Sequence, residues 1–592
     1  MRIACLGAGP GGLLAALLAK RSDPDREVTV FERNQVGDTF GFGVVFSDAT
    51  LDGIDAADPV LRRALDTHGA HWDPIEVRLH GERWRFGGNG MAAVARRTLL
   101  GLLTERAVAA GVDIRFATPA DPDDLLRAGY DLVIAADGAN SSVRTRFSQD
   151  FGPSVVTATA KFIWFGTTYP FGGLTFVHEQ SPHGVFAVHG YPIGNGTSTF
   201  IVETDEESWR AAGLDAFDVS QPPGPSDELT RAYLEKLFAE QIDGAPLLVN
   251  NSRWGNFRTW RTQRWRHRAG PADGTAVALL GDAAHTAHFS VGSGTKMAME
   301  DAIALVAALD ARAPGPSPSA EAVDAALADY EAARRPQVTR IQDAARPSLS
   351  WWEHFGRSYR HLPPWQFAFG FFSRSLAAAK LRQRDPAFTD AVLAAWCSAH
   401  GGAGPLDAPL DIAGIPQPHR VVPVRDRAAH LASGPLPLLD HPSAVTSTTS
   451  SPPTTRDRWG LWVSAPDTEA GLDATSDAVA RGLAAGACLV AVSGGTPLTR
   501  RLACEAARLE LGTVTLLVED GGDDPARAQD AALTAVLSGR TDLVGRPLTG
   551  STGIDNTGVG STGVGSTEVG STEVGSTGID SPGEARDGHT DR

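Results

Sequence analysis

Apolar and polar positions along this chain follow two rhythms. Short runs of consecutive apolar residues at Ile3–Leu6, Val28–Glu32, Leu132–Ala136 and Ala276–Leu280 predict strands covered on both faces. Leu13–Lys20, Ala92–Ala109 and Met297–Asp310 carry apolar residues at helical spacing between and after those runs. Such alternation predicts an α/β body on a parallel sheet, extending to about residue 390. Period-two alternation takes over between Phe162 and Glu203, in KFIWFGTTYPF and TSTFIVET, and predicts an inserted antiparallel sheet. From Ser319 through Ala345 to about Cys397 the pattern is helical, and the aromatic residues of WWEHFG and PPWQFAFGFF are read as helix packing rather than a ligand platform.

Composition changes the picture only towards the C-terminus. Residues 398–458 are rich in Pro, Ser and Thr and are expected to be a linker. Strand–helix alternation returns in Trp459–Arg546. The five-residue repeat of Ser551–Asp580 has too few large apolar groups to offset the cost of ordering a chain, so a disordered tail is expected over 549–592.

Charge and cysteine content exclude several classes. A net charge of -17 over 592 residues argues against nucleic acid as a partner. Cys5, Cys397, Cys488 and Cys504 form no CxxC pair, so neither a disulfide framework nor a metal site is indicated, and a reducing cytoplasm is the expected location. His285 and His288 lie three apart but lack further nearby ligands, and no metal is expected there. No apolar run reaches the roughly 18 residues that cross a bilayer. The apolar N-terminus is interrupted by glycines and reads as strand, turn and helix rather than a signal peptide.

Gly7-Ala8-Gly9-Pro10-Gly11-Gly12 sits between the first strand and the first helix. Gly7 permits a tight turn, Gly9 lets backbone approach a pyrophosphate, and Gly12 lets the helix close on the strand. The helix N-terminus then stabilises phosphate charge. Glu32, followed by Arg33, ends the second strand, where a carboxylate accepts ribose hydroxyl hydrogen bonds. Two further blocks follow strands: Asp137-Gly138-Ala139-Asn140-Ser141-Ser142-Val143-Arg144, and Gly281-Asp282-Ala283-Ala284-His285 with Gly292-Ser293-Gly294-Thr295 opening a helix.

In this order the three blocks resemble the signatures of class A flavoprotein monooxygenases, which share the para-hydroxybenzoate hydroxylase fold. The resemblance implies an FAD-binding Rossmann-like domain in two parts (1–160 and 266–397, the latter with C-terminal helices), around a substrate-binding β-sheet domain at 161–265. It places Asp137, Asp282, Gly292, Ser293, Gly294, Thr295 and the helix arginine Arg96 on FAD. The glycine-opened helix would stabilise the anionic reduced flavin. NADH or NADPH and dioxygen would be the co-substrates, with a flavin C4a-hydroperoxide delivering oxygen to a ring.

GDTFGFGVVFSDATL and NFRTWRTQRWRHR, with GDAAHTAHFSVGSGTKMAMEDAIAL, are similar to the salicyloyl-CoA 5-hydroxylase and anthraniloyl-CoA monooxygenase family, and more distantly to violacein-pathway indole hydroxylase. This implies a small-molecule substrate, an aryl-CoA or related cyclic acyl-CoA thioester, with a free or carrier-bound aromatic acid or phenol as the alternative. Phe46, Arg258 and Arg261 become candidate substrate contacts, the arginines as partners for CoA phosphates or as an ordinary charged strand surface. His288 would face the substrate ring or be a satisfied structural histidine. Lys296 would add positive charge near the flavin or point to solvent.

Some members of the family carry a fused old-yellow-enzyme-like flavin barrel, and ARGLAAGACLVAVSGG and LSGRTDLVGRP resemble its later strands. Too few residues are present for the roughly 250 of a full barrel. Residues 459–548 are therefore expected to form a small α/β remnant without reductase activity.

Overall fold

The computed structural model describes residues 1–39, 41–218, 224–270, 274–440, 458–520 and 524–547. The tail expected over 549–592 lies outside the described residues, as does 441–457 within the expected linker. The apolar runs read from the sequence form a six-stranded sheet in the order Arg266–Arg268, Ala276–Leu279, Leu132–Ala135, Arg2–Leu6, Glu27–Phe31, Asp113–Arg115. All its pairings are parallel except that of Arg266–Arg268 with Ala276–Leu279. Leu132–Ala135 and Ala276–Leu279 are buried at every position, as expected for strands with helices on both faces.

From Arg2–Leu6 the chain passes to Glu27–Phe31 on one side and later to Leu132–Ala135 on the other. This is the point where an open parallel sheet leaves a crevice at the carboxyl ends of its strands. One helix boundary differs from expectation: Met91–Ala95 is a strand, and the helix runs Arg96–Ala109. Ala92, Ala93 and Val94 are buried there between the strands Gly43–Ser47 and Ala70–Trp72, and sheet pairing overrides their helix propensity.

The second sheet is larger than the alternating run suggested. It has eight strands, begins at Pro153 and recruits Ile75–Leu79 and Glu82–Phe86 from earlier in the chain. Helix Ala320–His361 spans 42 residues and packs against both the nucleotide-side helices and this sheet.

Within the stretch expected as a linker, residues 398–440 are structured. Strands Val421–Arg425, Ala428–Leu431 and Gly434–Leu439 join Gly460–Ser464, Val490–Ser493, Thr515–Val518 and Leu543–Pro547 in a closed barrel. Asp426 and Arg427 both take positive φ (50° and 56°), the geometry of a two-residue hairpin turn. Pro423, Pro435 and Pro437 face outward while Val422, Val424, Leu436 and Leu438 fill the interior. This three-stranded meander pairs with the strand–helix units on both sides and so closes the barrel.

Candidate functional site

The crevice at the sheet's carboxyl edge is built by glycines. Gly7 has φ +108°, and a Cβ there would strike the carbonyl oxygen of Ala136. A Cβ on Gly12 would strike the Gly7 carbonyl, and one on Gly11 would lie 2.5 Å from Leu280 Cδ2 and 2.9 Å from Ala298 O. Bare glycine therefore lets helix Pro10–Ser22 press against both its strand and helix Gly294–Arg312. Their N-termini share the crevice, and neither receives a side-chain cap. By contrast Asp227 and Asp58 cap their helices. Open amides and the helix dipoles leave a positive edge suited to a pyrophosphate and an anionic ring. Gly9, at the tip, has nothing within 4 Å of where a Cβ would stand.

Around this edge the predicted side chains fall into place. Glu32 Oε2 accepts from Ala8 N at 2.9 Å, and Oε1 accepts from Asn34 N at 2.8 Å, which fixes the carboxylate beside the glycine turn. Arg33 is exposed. Asp137 Oδ2 accepts from Ser142 N at 2.7 Å, while its Oδ1 is buried without a partner. Arg144 joins the second and third motifs: it donates to Ala283 O at 2.8 Å and to Ala139 O, with its guanidinium 3.8 Å from the centre of the Trp260 ring. Asp282 is open to the crevice yet crowded by protein, and that crowding raises its carboxyl pKa against the pull of His285 and Arg96. Burial lowers the Arg96 pKa, and Asp282 opposes that shift, so the two predicted FAD contacts are electrostatic neighbours.

Gly292 takes positive φ (61°) and precedes Ser293, whose Oγ is buried without a partner at the helix mouth. Thr295 lies in the first turn. Two uncapped helix ends, the open space at Gly9 and the orphaned Ser293 hydroxyl all fit FAD. Lys296 is half-buried in the first turn of its helix, with Nζ 3.8 Å from Glu300 Oε1, so it does not simply point to solvent. His285 is structural: its Nε2 lies 2.7 Å from Asp301 Oδ2. Burial would raise the Asp301 pKa, but His285 and Arg334 hold it low.

His288 belongs to a cluster the sequence reading missed. Its Nε2 lies 3.1 Å from Glu203 Oε1, and Glu203 Oε2 lies 2.6 Å from His189 Nε2, all three residues being buried. His288 Nδ1 meets Ser290 Oγ at 2.8 Å, and Ser290 Oγ meets Ser348 Oγ at 3.0 Å. His189 and Glu203 stand diagonally on paired strands, with His189 opposite Ile201 and Glu203 opposite Ala187. Burial would raise the Glu203 carboxyl pKa, but the two imidazoles overrule it and hold it at about 2. Burial lowers the His189 pKa against the pull of the same carboxylate. Phe289 lies beside the cluster, its ring centre 5.0 Å from Phe162, 5.6 Å from Trp164 and 5.4 Å from His189. A carboxylate between two imidazoles and a hydroxyl chain, walled by aromatic rings, can move a proton in a dry chamber.

The three substrate candidates fare differently. Phe46 is buried in the nucleotide-side core, so packing accounts for its ring and no face is left for a ligand. Arg261 Nη2 lies 2.7 Å from Asp343 Oδ1, and its neighbour on the same basic stretch, Arg268, pairs with Asp324 at 2.8 Å. Arg258 is exposed and donates to Asn140 Oδ1 at 3.1 Å. Helix Ala320–His361 thus gives carboxylate partners to Arg261 and Arg268, while Arg258 stays exposed beside the neutral Asn140 side chain.

Residues 1–345 match the family model described as FAD binding domain. The chain is 55% identical over 554 residues to a salicyloyl-CoA 5-hydroxylase of Streptomyces sp, covering 92% of this chain and 99% of the relative. It is 36% identical to a 3-hydroxy-4-methyl-anthranilyl-[aryl-carrier protein] 5-monooxygenase of Streptosporangium sibiricum, covering 59% and 89%. A protodeoxyviolaceinate monooxygenase of Chromobacterium violaceum is 30% identical, covering 63% and 94%.

Proposed function

This chain belongs to the FAD-binding family of flavin-dependent monooxygenases, and we propose that it oxygenates the ring of an aryl-CoA thioester. The enzyme uses FAD, with NADH or NADPH as reductant and dioxygen as oxidant; bound FAD supplies the oxygen-activating chemistry. The observation that carries the substrate reading is the 55% identity to a relative acting, by name, on salicyloyl-CoA, across 99% of that relative's length.

The chain's own residues bind, orient and handle protons. Gly9, the two open helix ends, Glu32, Arg96, Asp282 and Ser293 would hold the cofactor. Phe289, Phe162 and Trp164 pack together beside the cluster and would wall the ring from water, which strengthens every charge interaction inside. A ring hydroxyl becomes a better nucleophile on losing a proton. His288 accepts it, and Glu203 Oε1 stabilises the imidazolium that forms.

Product formation decides the substrate class. Purified protein given reductant, dioxygen and matched aryl groups as CoA thioester, carrier-protein thioester or free acid should add one oxygen atom to the CoA form with kcat/KM on the order of 100-fold above the free acid. Equal or better turnover of the free acid would reject the reading. A preference for the carrier-bound form would move it towards the relative that is 36% identical.

A further inference from the structure

Helix Ala320–His361 meets the barrel along a seam that holds a small, partly open cleft of about 30 Å³. Its lining carries Arg374, Arg501 and Arg540, and Glu505 as the lone carboxylate among its lining residues. Glu505 is already engaged: Arg357 Nε donates to its Oε1 at 3.1 Å and Ser358 Oγ at 3.2 Å. Arg374 is half-buried as a residue, but its Nε and Nη1 atoms are buried without a hydrogen-bond partner, the guanidinium resting 3.6 Å from the centre of the Phe371 ring. Arg540, 8% exposed, makes one contact from Nη2, to Gly370 O at 3.3 Å. Burial lowers the pKa of both, to about 9 for Arg374 and about 10 for Arg540; a neighbouring arginine of the cleft lowers each further, against the weaker pull of Glu203 on Arg374 and of Glu505 on Arg540. Ser350 Oγ and Trp351 Nε1 line the same cleft and are buried without partners.

A protein does not leave buried guanidinium donors unpaired without cost, because an uncompensated charge away from water is among the most destabilising features a fold can hold. Here the donors converge: guanidinium, hydroxyl and indole N–H groups face one space, and the carboxylate beside them is taken. A carboxylate ligand has too few acceptor sites for this set. A phosphate group offers three oxygens and up to two charges, and guanidinium forks match that geometry.

We infer that the seam between helix Ala320–His361 and the barrel is a phosphate-binding pocket, held by Arg374, Arg501 and Arg540 and absent from the sequence motifs of the flavin site. The phosphate group is either that of a free anion or one carried by a CoA thioester. Helix Ala320–His361 supplies Ser350 to the pocket and, a few positions earlier, Ser348 to the hydroxyl chain of the His288 cluster. The inference holds whichever ring the enzyme oxygenates. It also gives the barrel a role, since Arg501 and Arg540 both come from it.

The test uses the full-length holoenzyme and two probes, inorganic phosphate and CoA, at ionic strength matched with chloride. Thermal unfolding of the wild type should rise saturably with at least one probe, and Arg501→Gln, at the half-buried rim, should weaken that response on the order of 10-fold. Arg374→Met removes the unpaired charge, so it should lose the response while melting no lower than the wild type in chloride. KM then assigns the source. A rise in Arg501→Gln for the aryl-CoA but not for the aryl-pantetheine thioester places the CoA phosphate in the pocket. Unchanged KM for both, with phosphate stabilisation lost, identifies a free anion. Arg501→Gln answering both probes as the wild type does, or a wild type that answers neither, overturns the inference.

Discussion

The molecule uses a strand, a pair of glycines and a helix twice, with opposite results. In the nucleotide region Leu6 leads through Gly7 and Gly9 into helix Pro10–Ser22, whose first amides remain uncapped and face a crevice. In the barrel Ser493 leads through Gly494 and Gly495 into helix Pro497–Leu509, whose start is closed by a reciprocal cap. There Thr499 N donates to Thr496 Oγ1 at 3.1 Å and Thr496 N to Thr499 Oγ1 at 3.0 Å. Arg500 bonds back to Gly494 O at 2.9 Å and to Asp520 at 2.6 Å. Glycine in the first turn makes room for a ligand; in the second, the chain's own side chains take the donors. A glycine-rich turn alone therefore does not identify a nucleotide site. What distinguishes one is where its amides go.

Substitutions should separate the two turns. Gly9→Val has the largest expected effect. Gly9 has extended backbone that valine tolerates and open space around it, so the protein should fold, yet the side chain would stand where backbone must meet a pyrophosphate. Keeping the backbone amides from the pyrophosphate should weaken FAD on the order of 100-fold, read from flavin absorbance after gel filtration. Retained flavin would mean that the crevice is not the cofactor site.

Glu203→Gln comes next. It breaks the buried link between His189 and His288 at a cost on the order of 3 kcal/mol, measured by denaturant unfolding, and should cut turnover without releasing flavin. The carboxyl is depressed from 4.5 to about 2, so the stability its ionised form contributes is complete above pH 4.5 and lost as pH falls towards 2. Acid unfolding that is unchanged in the variant would remove Glu203 from this role.

Gly495→Ala tests the other turn. Gly495 has φ +55°, and a Cβ would lie 2.5 Å from Pro466 O, so a loss on the order of 2 kcal/mol is expected with flavin content unchanged. Flavin loss there would erase the contrast between the turns.

The nucleotide crevice was legible in the sequence because each requirement is local. A positive φ, a close approach and a helix start fall within a few residues of Gly7, Asp137 or Asp282, so spacing alone reports them. The His189–Glu203–His288 cluster was not, since strand register brings its members together, although a histidine and a glutamate on the inward phase of GVFAVHGYP and STFIVET were a usable signal. The hairpin strands of the barrel were hidden by proline count. Their prolines occupy outward positions, and the period-two pattern of Val422, Val424, Leu436 and Leu438 survives beneath them. Arg374, Arg501 and Arg540 are scattered along the chain and share a cleft only through packing.

That last contrast supplies the smallest expected effect. Sequence reading left the arginine-rich stretch around Arg258 and Arg261 open between a CoA-phosphate contact and an ordinary charged strand surface, because basic residues stand out in an acidic chain. Structure divides the arginines by whether a carboxylate reaches them. Arg261 is paired with Asp343 on a half-exposed surface, a bridge worth about 0–1 kcal/mol. Removing it leaves no buried donor orphaned and no ligand unbound. Arg261→Ala should therefore shift aryl-CoA KM less than about 2-fold and stability by no more than about 1 kcal/mol, against on the order of 10-fold in phosphate-probe affinity for Arg501→Gln. If Arg261→Ala instead raised KM as far as Arg501→Gln does, the thioester would run across the sheet surface, and density of charge in the sequence would have been the better guide than the pairing of each guanidinium.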